Sequence, residues 1–255
     1  MLLTLDMGNT NIKIGVFKDD KLLLDSRIAT DRFKMEDQYA VELLDILKLY
    51  GVDTKGFEGA IISSVVPPLT SVIRRAVEKI TGVTSLVVGP GTKTGINIRI
   101  DNPAQLGADL LVGAVAAVEQ YGTPCVIWDL GTATTVSVVD RDGHFRGGAI
   151  MAGAGVSIES LVTRASQLPR ISLEAPTRVI GANTVESMQS GAVFGVASMI
   201  DGMCDRIEAE LGYDTTVIMT GGLGREIAPN CRCKIIYDDN LLLTGLHMIY
   251  KKNKK

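Results

Sequence analysis

A short polar segment near the start of the chain has the residue types that bind phosphate. An apolar run ends at Asp6, and Gly8 follows in a tight turn, where glycine lets backbone N–H groups approach a ligand closely. Lys13 stands at the start of the next apolar run. Backbone amides beside an ammonium group suit phosphate oxygens, and a carboxylate can hold Mg²⁺ directly or through water. The candidate phosphate ligands are Asp6, Gly8, Asn9, Thr10 and Lys13, although such residues are also typical of an ordinary hairpin turn.

The same pattern recurs in the second half of the chain. Asp129 follows Asp6 by 123 positions, and the two segments align without a gap. Around Asp129 stand an apolar run, Gly131 and the hydroxyls of Thr132, Thr134 and Thr135. A period of about half the chain is too long for a solenoid, so it indicates two related halves. Two facing hairpins of this kind can hold nucleotide phosphates in a cleft.

A third glycine turn follows a late apolar run. Thr220, Gly221 and Gly222 stand where a strand is predicted to end, and the glycines would let an adenine or a ribose lie flat against the backbone. A Gly-Gly pair alone is weak evidence. Three such turns at strand ends, two of them duplicated, favour a nucleotide-binding protein.

The hydropathy pattern places these turns between strands in both halves. The first half predicts strands at 2–6, 12–18, 21–29, 59–66 and 85–88, with helices at 36–50, 69–81 and 107–120. The second half predicts strands at 125–129, 133–140, 144–150, 216–220 and 234–237, with helices at 155–167, 184–211 and 240–250. This order is that of an α/β fold.

The predicted helix at 184–211 carries Gly191, Gly195 and Gly202 at roughly one-turn spacing. Each glycine costs about 1 kcal/mol relative to alanine inside a helix. Close approach of another helix or subunit would compensate for that cost.

Composition excludes several classes of protein. The chain has 255 residues, 46% of them hydrophobic and 22% charged, which indicates a folded chain with an ample core. The net charge is −3, and basic residues cluster only in the C-terminal tail, so a nucleic-acid partner is not expected. No apolar run is long enough for a membrane span and the first residues lack a basic leader, so a cytoplasmic protein without a membrane partner is expected. Four scattered cysteines and two histidines argue against a disulfide scaffold, a structural zinc site or a Ser-His-Asp triad.

These motifs together resemble the actin-like ATPase and sugar-kinase superfamily, and more closely the type III pantothenate kinases. The segment from Asp6 to Lys13 matches that family's first motif, Asp-x-Gly-Asn-[Thr/Ser]-x-x-Lys. Further matches are 129–135, Gly-Gly-Ala-Ile at 147–150, 181–191 and 220–222. The resemblance runs along the whole chain. It implies an α/β fold of duplicated ribonuclease H-like (actin-like) domains at 1–120 and 121–255, each a mixed β-sheet with helices, with the active site in the interdomain cleft.

The resemblance also implies an activity, namely ATP-dependent phosphorylation of pantothenate to 4'-phosphopantothenate, the first step of coenzyme A biosynthesis. Asp109 would be the general base on the acceptor hydroxyl, and Lys13 would offset phosphate charge. Asp129 would support a monovalent cation, K⁺ or NH₄⁺, and Asp6 is a candidate Mg²⁺ ligand. The remaining implied residues are Thr132, Gly221 and Gly222 at ATP, and Gly107, Ala108, Leu110 and Thr184 at pantothenate. Thr184 would reach pantothenate across a homodimer interface.

The acceptor motif departs from the family pattern. Leu110 stands where the family's Gly-Ala-Asp-Arg motif has arginine, and Ile100 stands where the family has a tyrosine that helps hold pantothenate. Arg99, Arg164 or Arg178 are candidates for the missing cation. From the residues alone, Asp109 is equally well explained as a carboxylate that complements the dipole of a helix N-terminus.

Two other functions stay open at this stage. One is a kinase of the same superfamily that acts on another small hydroxyl compound, which Ile100 and Leu110 favour. The other is a non-catalytic nucleotide-binding regulator. The presence of Lys13, Asp109 and Asp129 argues against a regulator, because a binding module needs no general base.

Overall fold

The computed structural model describes residues 1–254, which form two compact units. Unit 1 consists of Met1–Gly95, Asn102–Ala116 and the C-terminal segment from Asn240. Unit 2 consists of Ile96–Asp101 and Ala117–Asp239. The domains predicted at 1–120 and 121–255 stay a prediction.

Eleven strands and eight helices are numbered in chain order within the described residues. The strands are β1 Leu2–Met7, β2 Asn11–Lys18, β3 Lys21–Ala29, β4 Gly59–Ser64, β5 Ser85–Val87, β6 Asn97–Ile98, β7 Cys125–Leu130, β8 Ala133–Val139, β9 His144–Ala152, β10 Thr216–Thr220 and β11 Ile235–Tyr237. The helices are α1 Glu36–Leu49, α2 Pro67–Thr81, α3 Ala108–Tyr121, α4 Ala154–Arg164, α5 Thr184–Ser190, α6 Val196–Leu211, α7 Gly224–Ile227 and α8 Leu241–Asn253. None of the helices in residues 1–254 is long and apolar enough to cross a membrane.

Unit 1 is built on a five-stranded sheet in the order β3-β2-β1-β4-β5. The first three strands are antiparallel, and β4 joins β1 in parallel. Every residue of the central strand β1 is buried, as expected for a strand with helices on both faces. The apolar residues Tyr39, Leu43 and Leu47 of α1 are spaced by four and enter the core of this unit.

The C-terminal helix α8 belongs to unit 1 and packs closely on α3. A Cβ at Gly245 would lie only 2.2 Å from the carbonyl oxygen of Val112. Glycine is therefore needed where the two helix backbones meet.

Unit 2 is built on a six-stranded sheet in the order β11-β10-β7-β8-β9-β6. The strands β9-β8-β7-β10-β11 repeat the order of β3-β2-β1-β4-β5, with an antiparallel meander followed by parallel strands. The duplication read from the two Asp-x-Gly segments is therefore confirmed in the sheet topology. The short strand β6 adds to the outer edge of β9 in unit 2 and was not predicted.

The helix predicted at 184–211 is interrupted. A π-helical turn at Gly191–Gly195 separates α5 from α6, and π-helical turns occur as single-turn bulges within helices. Apart from chain neighbours and the helix's own backbone, no atom of the described residues lies within 4 Å of the position that a Cβ would take at Gly191 or Gly195. The expected close approach of another helix or subunit at these glycines is thus not made within the described residues, and its alternative, a second subunit, stays a prediction.

Candidate active site

The β1–β2 turn of unit 1 is held by hydrogen bonds on both sides. The Gly8 N–H donates to the Asn11 carbonyl at 3.0 Å, and a Cβ at Gly8 would crowd that oxygen at 3.3 Å. The Thr30 hydroxyl donates to the Gly8 carbonyl at 2.7 Å, and the Arg32 guanidinium donates to the Asn9 side-chain oxygen at 3.0 Å. The turn is therefore a fixed backbone loop that presents the exposed residues Asn9 and Thr10.

Asp6, Lys13 and Ser63 lie side by side in the unit 1 sheet. Asp6 pairs with Lys13 across the antiparallel β1–β2 register and with Ser63 across the parallel β1–β4 register. Residues directly opposite each other point to the same face of a sheet, so the ammonium, the carboxylate and the hydroxyl share one face. Asp6 is 9% exposed and Ser63 is fully buried.

The Ser63 hydroxyl has no hydrogen-bond partner among the described residues. Buried hydroxyls are nearly always satisfied, so this position fits a bound ligand or ion. Carboxylate and hydroxyl oxygens are the donors that Mg²⁺ prefers, and Asp6 with Ser63 fits that preference. Sequence reasoning missed Ser63, although a serine within the apolar run of the predicted strand was a signal.

Asp109 lies in the first turn of α3 and is partly buried. Its Oδ1 accepts a hydrogen bond from the Leu110 N–H at 2.8 Å. A Cβ at Gly107 would stand 2.5 Å from the same Oδ1. The carboxylate therefore folds back over Gly107, and any larger residue at position 107 would displace the carboxylate. Burial raises the pKa of Asp109 above its usual value, and the N–H groups of Leu110 and Asp109 offset only part of that rise. The result is a carboxylate more basic than an exposed one, which suits a general base.

The β7–β8 turn of unit 2 is a hairpin like the first, but shorter by one residue. The Gly131 N–H donates to the Ala133 carbonyl, two residues on, at 3.1 Å, whereas the Gly8 N–H donates to Asn11, three residues on. The Gly153 N–H donates to the Thr132 carbonyl at 3.2 Å. A Cβ at Gly153 would lie 2.5 Å or less from the carbonyl oxygens of residues 131 and 132, so the start of α4 is pressed against this turn.

Gly221 lies directly against Asp129. Thr220 pairs with Asp129 across the β7–β10 register, and the next residue turns with φ of 94°. A Cβ at Gly221 would stand 2.7 Å from Asp129 Oδ1 and 2.6 Å from the Leu130 nitrogen. Unit 2 therefore brings together Asp129, the 131–132 turn and Gly221, and it leaves the neighbouring Gly222 exposed.

We expect Gly221→Ala to weaken nucleotide binding more than tenfold, because the added methyl both strains a positive φ and displaces the Asp129 carboxylate. Isothermal titration with ATP measures the change. Gly212→Ala is the matched control, since Gly212 also has a positive φ, 76°, but has nothing within 4 Å of its Cβ position. Equal ATP affinity of the two variants would contradict the contact with Asp129 as the reason for this glycine.

Thr184 is exposed in the first turn of α5. The Asn183 side chain caps that helix by accepting the Glu186 N–H at 2.9 Å, and the Glu186 carboxylate accepts the Ala182 N–H at 2.8 Å. The family-matched segment at 181–191 thus has a structural role as a helix cap. Its predicted contact with pantothenate stays a prediction.

An acidic cluster that could hold a metal ion lies in the β8–β9 turn of unit 2. Oxygens of Asp140 and Asp142 and a nitrogen of His144 lie within 4.8 Å of one another. The Asp140 carboxylate accepts the N–H groups of Asp142 and His144 and pairs with Arg146 at 3.2 Å. Because these donors already satisfy the carboxylate, the cluster stabilises the turn.

Comparison with known proteins identifies the family. The family model for type III pantothenate kinase matches residues 2–206. A type III pantothenate kinase of Halalkalibacterium halodurans is 43% identical over 253 residues, covering 99% of this chain and 100% of the relative. A type III pantothenate kinase of Brevibacillus brevis is 42% identical over 254 residues, and the alignment covers 100% of this chain and 100% of the relative.

Solved structures share the fold at lower identity. A ROK hexokinase of Thermus thermophilus superposes with a TM-score of 0.53 at 16% identity, covering 99% of both chains. Component A of the (R)-2-hydroxyglutaryl-CoA dehydratase of Acidaminococcus fermentans superposes with a TM-score of 0.58 at 14% identity, covering 100% of this chain and 99% of the other. These likenesses confirm the duplicated actin-like fold, and the family match with the full-length relatives shows that the chain belongs to the type III pantothenate kinase family.

Proposed function

We propose that this protein transfers the γ-phosphoryl group of ATP to the primary hydroxyl of pantothenate, giving 4'-phosphopantothenate and ADP. The observation that carries the proposal is the Asp109 carboxylate, which lies over Gly107 and is made more basic by its partial burial. Such a group is suited to take the hydroxyl proton as the new O–P bond forms and the bond to ADP breaks. The product enters coenzyme A biosynthesis at its first step.

The two glycine turns bind nucleotide phosphates in this proposal. The N–H groups of the 8–10 turn and the Lys13 ammonium stabilise phosphate charge, as do the N–H groups of the turn at Gly131 and Thr132. Gly221 and Gly222 take the adenosine. Most of the rate enhancement then comes from positioning and charge stabilisation, as is usual for phosphoryl transfer.

Two cations fit the residues present. Asp6 with Ser63 would hold Mg²⁺, whose chemistry is to neutralise phosphate charge. Asp129 would hold K⁺ or NH₄⁺ through its carboxylate, which lies beside Gly221 and Gly131. The protein is further proposed to act in the cytoplasm.

A homodimer is supported by an apolar surface on unit 2. The surface consists of Val179, Ile180 and Val185, which are 66%, 85% and 41% exposed, and it is called the α5 face. The open positions beside Gly191 and Gly195 continue along the same helix. Contiguous exposed apolar residues of this kind mark interaction sites, and a second copy of the chain is the proposed occupant.

We expect Ile180→Asp to convert the dimer to a monomer, because a charge placed in an apolar interface is left unpaired. Sedimentation velocity measures the mass of each species. Leu49→Asp is the control, since Leu49 is 81% exposed on unit 1 and lies outside the α5 face. A monomeric wild-type protein, or an Ile180→Asp variant that stays dimeric, would contradict the proposed interface.

A coupled assay of ADP release tests the function directly. Pantothenate, pantetheine and a panel of sugars are compared as acceptors, each with and without KCl or NH₄Cl. The proposal predicts pantothenate-dependent ADP release that rises with a monovalent cation. Turnover with a sugar in place of pantothenate would show a kinase of different specificity, and ATP binding without turnover on any acceptor would show a regulator.

A further inference from the structure

Two cysteine thiols of unit 2 lie next to each other in its core. Cys204 is on α6 and is 2% exposed, and Cys233, which precedes β11, packs against the same apolar cluster. The Cys204 sulfur lies within hydrogen-bonding distance of the Cys233 sulfur. The Trp128 indole N–H donates to the Cys204 sulfur at 3.4 Å. Both cysteines are free thiols, and neither belongs to the candidate active site.

The Asp201 carboxylate holds the segment that carries Cys233. Asp201 lies one turn before Cys204 on α6, so the two side chains are on the same face of the helix. The carboxylate accepts the backbone N–H groups of Arg232 and Cys233 at 2.9 and 3.0 Å, and it accepts Arg232 Nε at 3.2 Å. Because its oxygens are occupied by these donors, Asp201 positions the thiol pair and is not itself an open ligand.

A third cysteine lies in the same segment but is directed elsewhere. The Cys231 sulfur bonds the Ile227 carbonyl at 3.6 Å. Within residues 1–254, the one set of three metal-binding side chains whose ligand atoms lie within 4.8 Å of one another is the acidic cluster of the β8–β9 turn. The thiol pair therefore offers two ligands at close range and no third.

Two adjacent thiols suit one kind of metal ion. Soft ions such as Cu(I) prefer thiolate ligands, and two thiolates in a linear arrangement are sufficient to hold Cu(I). Structural Zn²⁺ takes four ligands, which this pair does not supply. Burial raises the pKa of both thiols, so they stay protonated at neutral pH and are slow to oxidise, because oxidation requires the thiolate. A metal ion, in contrast, displaces the thiol protons as it binds.

We propose that Cys204 and Cys233 form a buried two-thiolate site for Cu(I). Binding replaces two S–H bonds with two Cu–S bonds and releases two protons, so the ion with its ligands carries one negative charge and copper keeps its oxidation state. The Trp128 N–H and the Arg232 guanidinium, which is paired with Asp201, partly offset that charge. Cys233 is partly exposed and gives the ion access to the pair.

An anaerobic titration of the full chain with Cu(I), in competition with a chromophoric Cu(I) chelator, tests the site. Wild-type protein should bind one Cu(I) per chain, release two protons and lose fluorescence of Trp128, which is the only tryptophan. Removing even an outer partner of a metal ligand costs about 10- to 100-fold in affinity, so Cys204→Ser and Cys233→Ser should each lose more than about 100-fold. Cys231→Ser is the matched control and should bind as wild type does.

X-ray absorption at the copper edge of the wild-type complex gives a readout that does not depend on the folding of any variant. It should show two sulfur ligands. Three or more sulfur ligands, or an equal loss of affinity in Cys231→Ser and Cys204→Ser, would contradict the two-thiolate site. The proposal also fails if wild-type protein does not compete with the chelator, or if Zn²⁺ binds as tightly as Cu(I). None of these measurements requires kinase activity, so the result is independent of the proposed function.

Discussion

The Asp109→Asn variant should lose at least about 100-fold in kcat, the usual range for loss of a general base. The amide keeps the shape of the carboxylate and can still accept the Leu110 N–H that Asp109 Oδ1 accepts at 2.8 Å. It cannot take a proton from the acceptor hydroxyl. The KM values for ATP and pantothenate should change little, because the lost interaction forms only in the transition state.

The pH profile of the wild-type enzyme gives a second test of Asp109. Only the ionised carboxylate can act as a base, and burial raises its pKa. Wild-type kcat/KM should therefore fall with acid at a pH above the usual titration range of an aspartate, and the variant should lack that limb. Asp45→Asn, an exposed position on α1, is the control and should behave as wild type. Near-normal turnover in Asp109→Asn would remove this residue from the mechanism.

Thermal unfolding separates lost catalysis from lost structure. Because the folded-state pKa of Asp109 is raised, folding favours the protonated form, and the resulting stability is present below the unfolded pKa and lost as pH rises through the folded pKa. At pH 7 the desolvated charge of Asp109 therefore lowers the stability of the folded state, and asparagine removes that charge. Asp109→Asn should unfold at the wild-type temperature or above it, so that low activity cannot be attributed to unfolding.

The Lys13→Ala variant should lose about 10²- to 10³-fold in kcat/KM for ATP, the range seen when one preorganised charge-stabilising group is removed. Lys13 lies opposite Asp6 in the β1–β2 register, beside the turn that is proposed to hold phosphate. Without the ammonium, the developing negative charge faces the Asp6 carboxylate with less compensation. Single-turnover rates at saturating ATP show how much of the loss is chemistry and how much is binding.

Lys18→Ala is the matched control for Lys13, since Lys18 is the exposed last residue of the same strand. It should leave kcat and the KM for ATP unchanged at physiological salt. Lys13→Arg should recover only part of the activity, because a planar guanidinium does not reproduce a compact ammonium. If Lys13→Ala stays within threefold of wild type, the phosphate role of the first hairpin is wrong.

Local sequence was sufficient for most of the fold. The apolar runs before Asp6 and Asp129 predicted β1 and β7, and the glycines that follow predicted the hairpins, because a tight turn depends on residues a few positions apart. The duplication needed only the 123-residue offset. The π-helical turn at Gly191–Gly195 was not predicted, because the apolar spacing of the segment is the same for a continuous helix.

The candidate site was predictable in its residue types and less so in its contacts. Asp6, Lys13 and Asp129 were found from motifs, since each lies within a few residues of a glycine turn. Ser63 was missed, because its place beside Asp6 follows from a parallel register between strands more than 50 residues apart. Such non-local pairing depends on the whole sheet.

The sequence by itself determined the repeated α/β halves, the two Asp-x-Gly hairpins and the departure at Leu110, because these follow from local order and composition. Only the tertiary structure showed why Gly221 must be glycine beside Asp129, how burial makes Asp109 more basic, and that α8 belongs with β1. The physical reason is the same in each case, since close approach and desolvation depend on how segments pack in three dimensions.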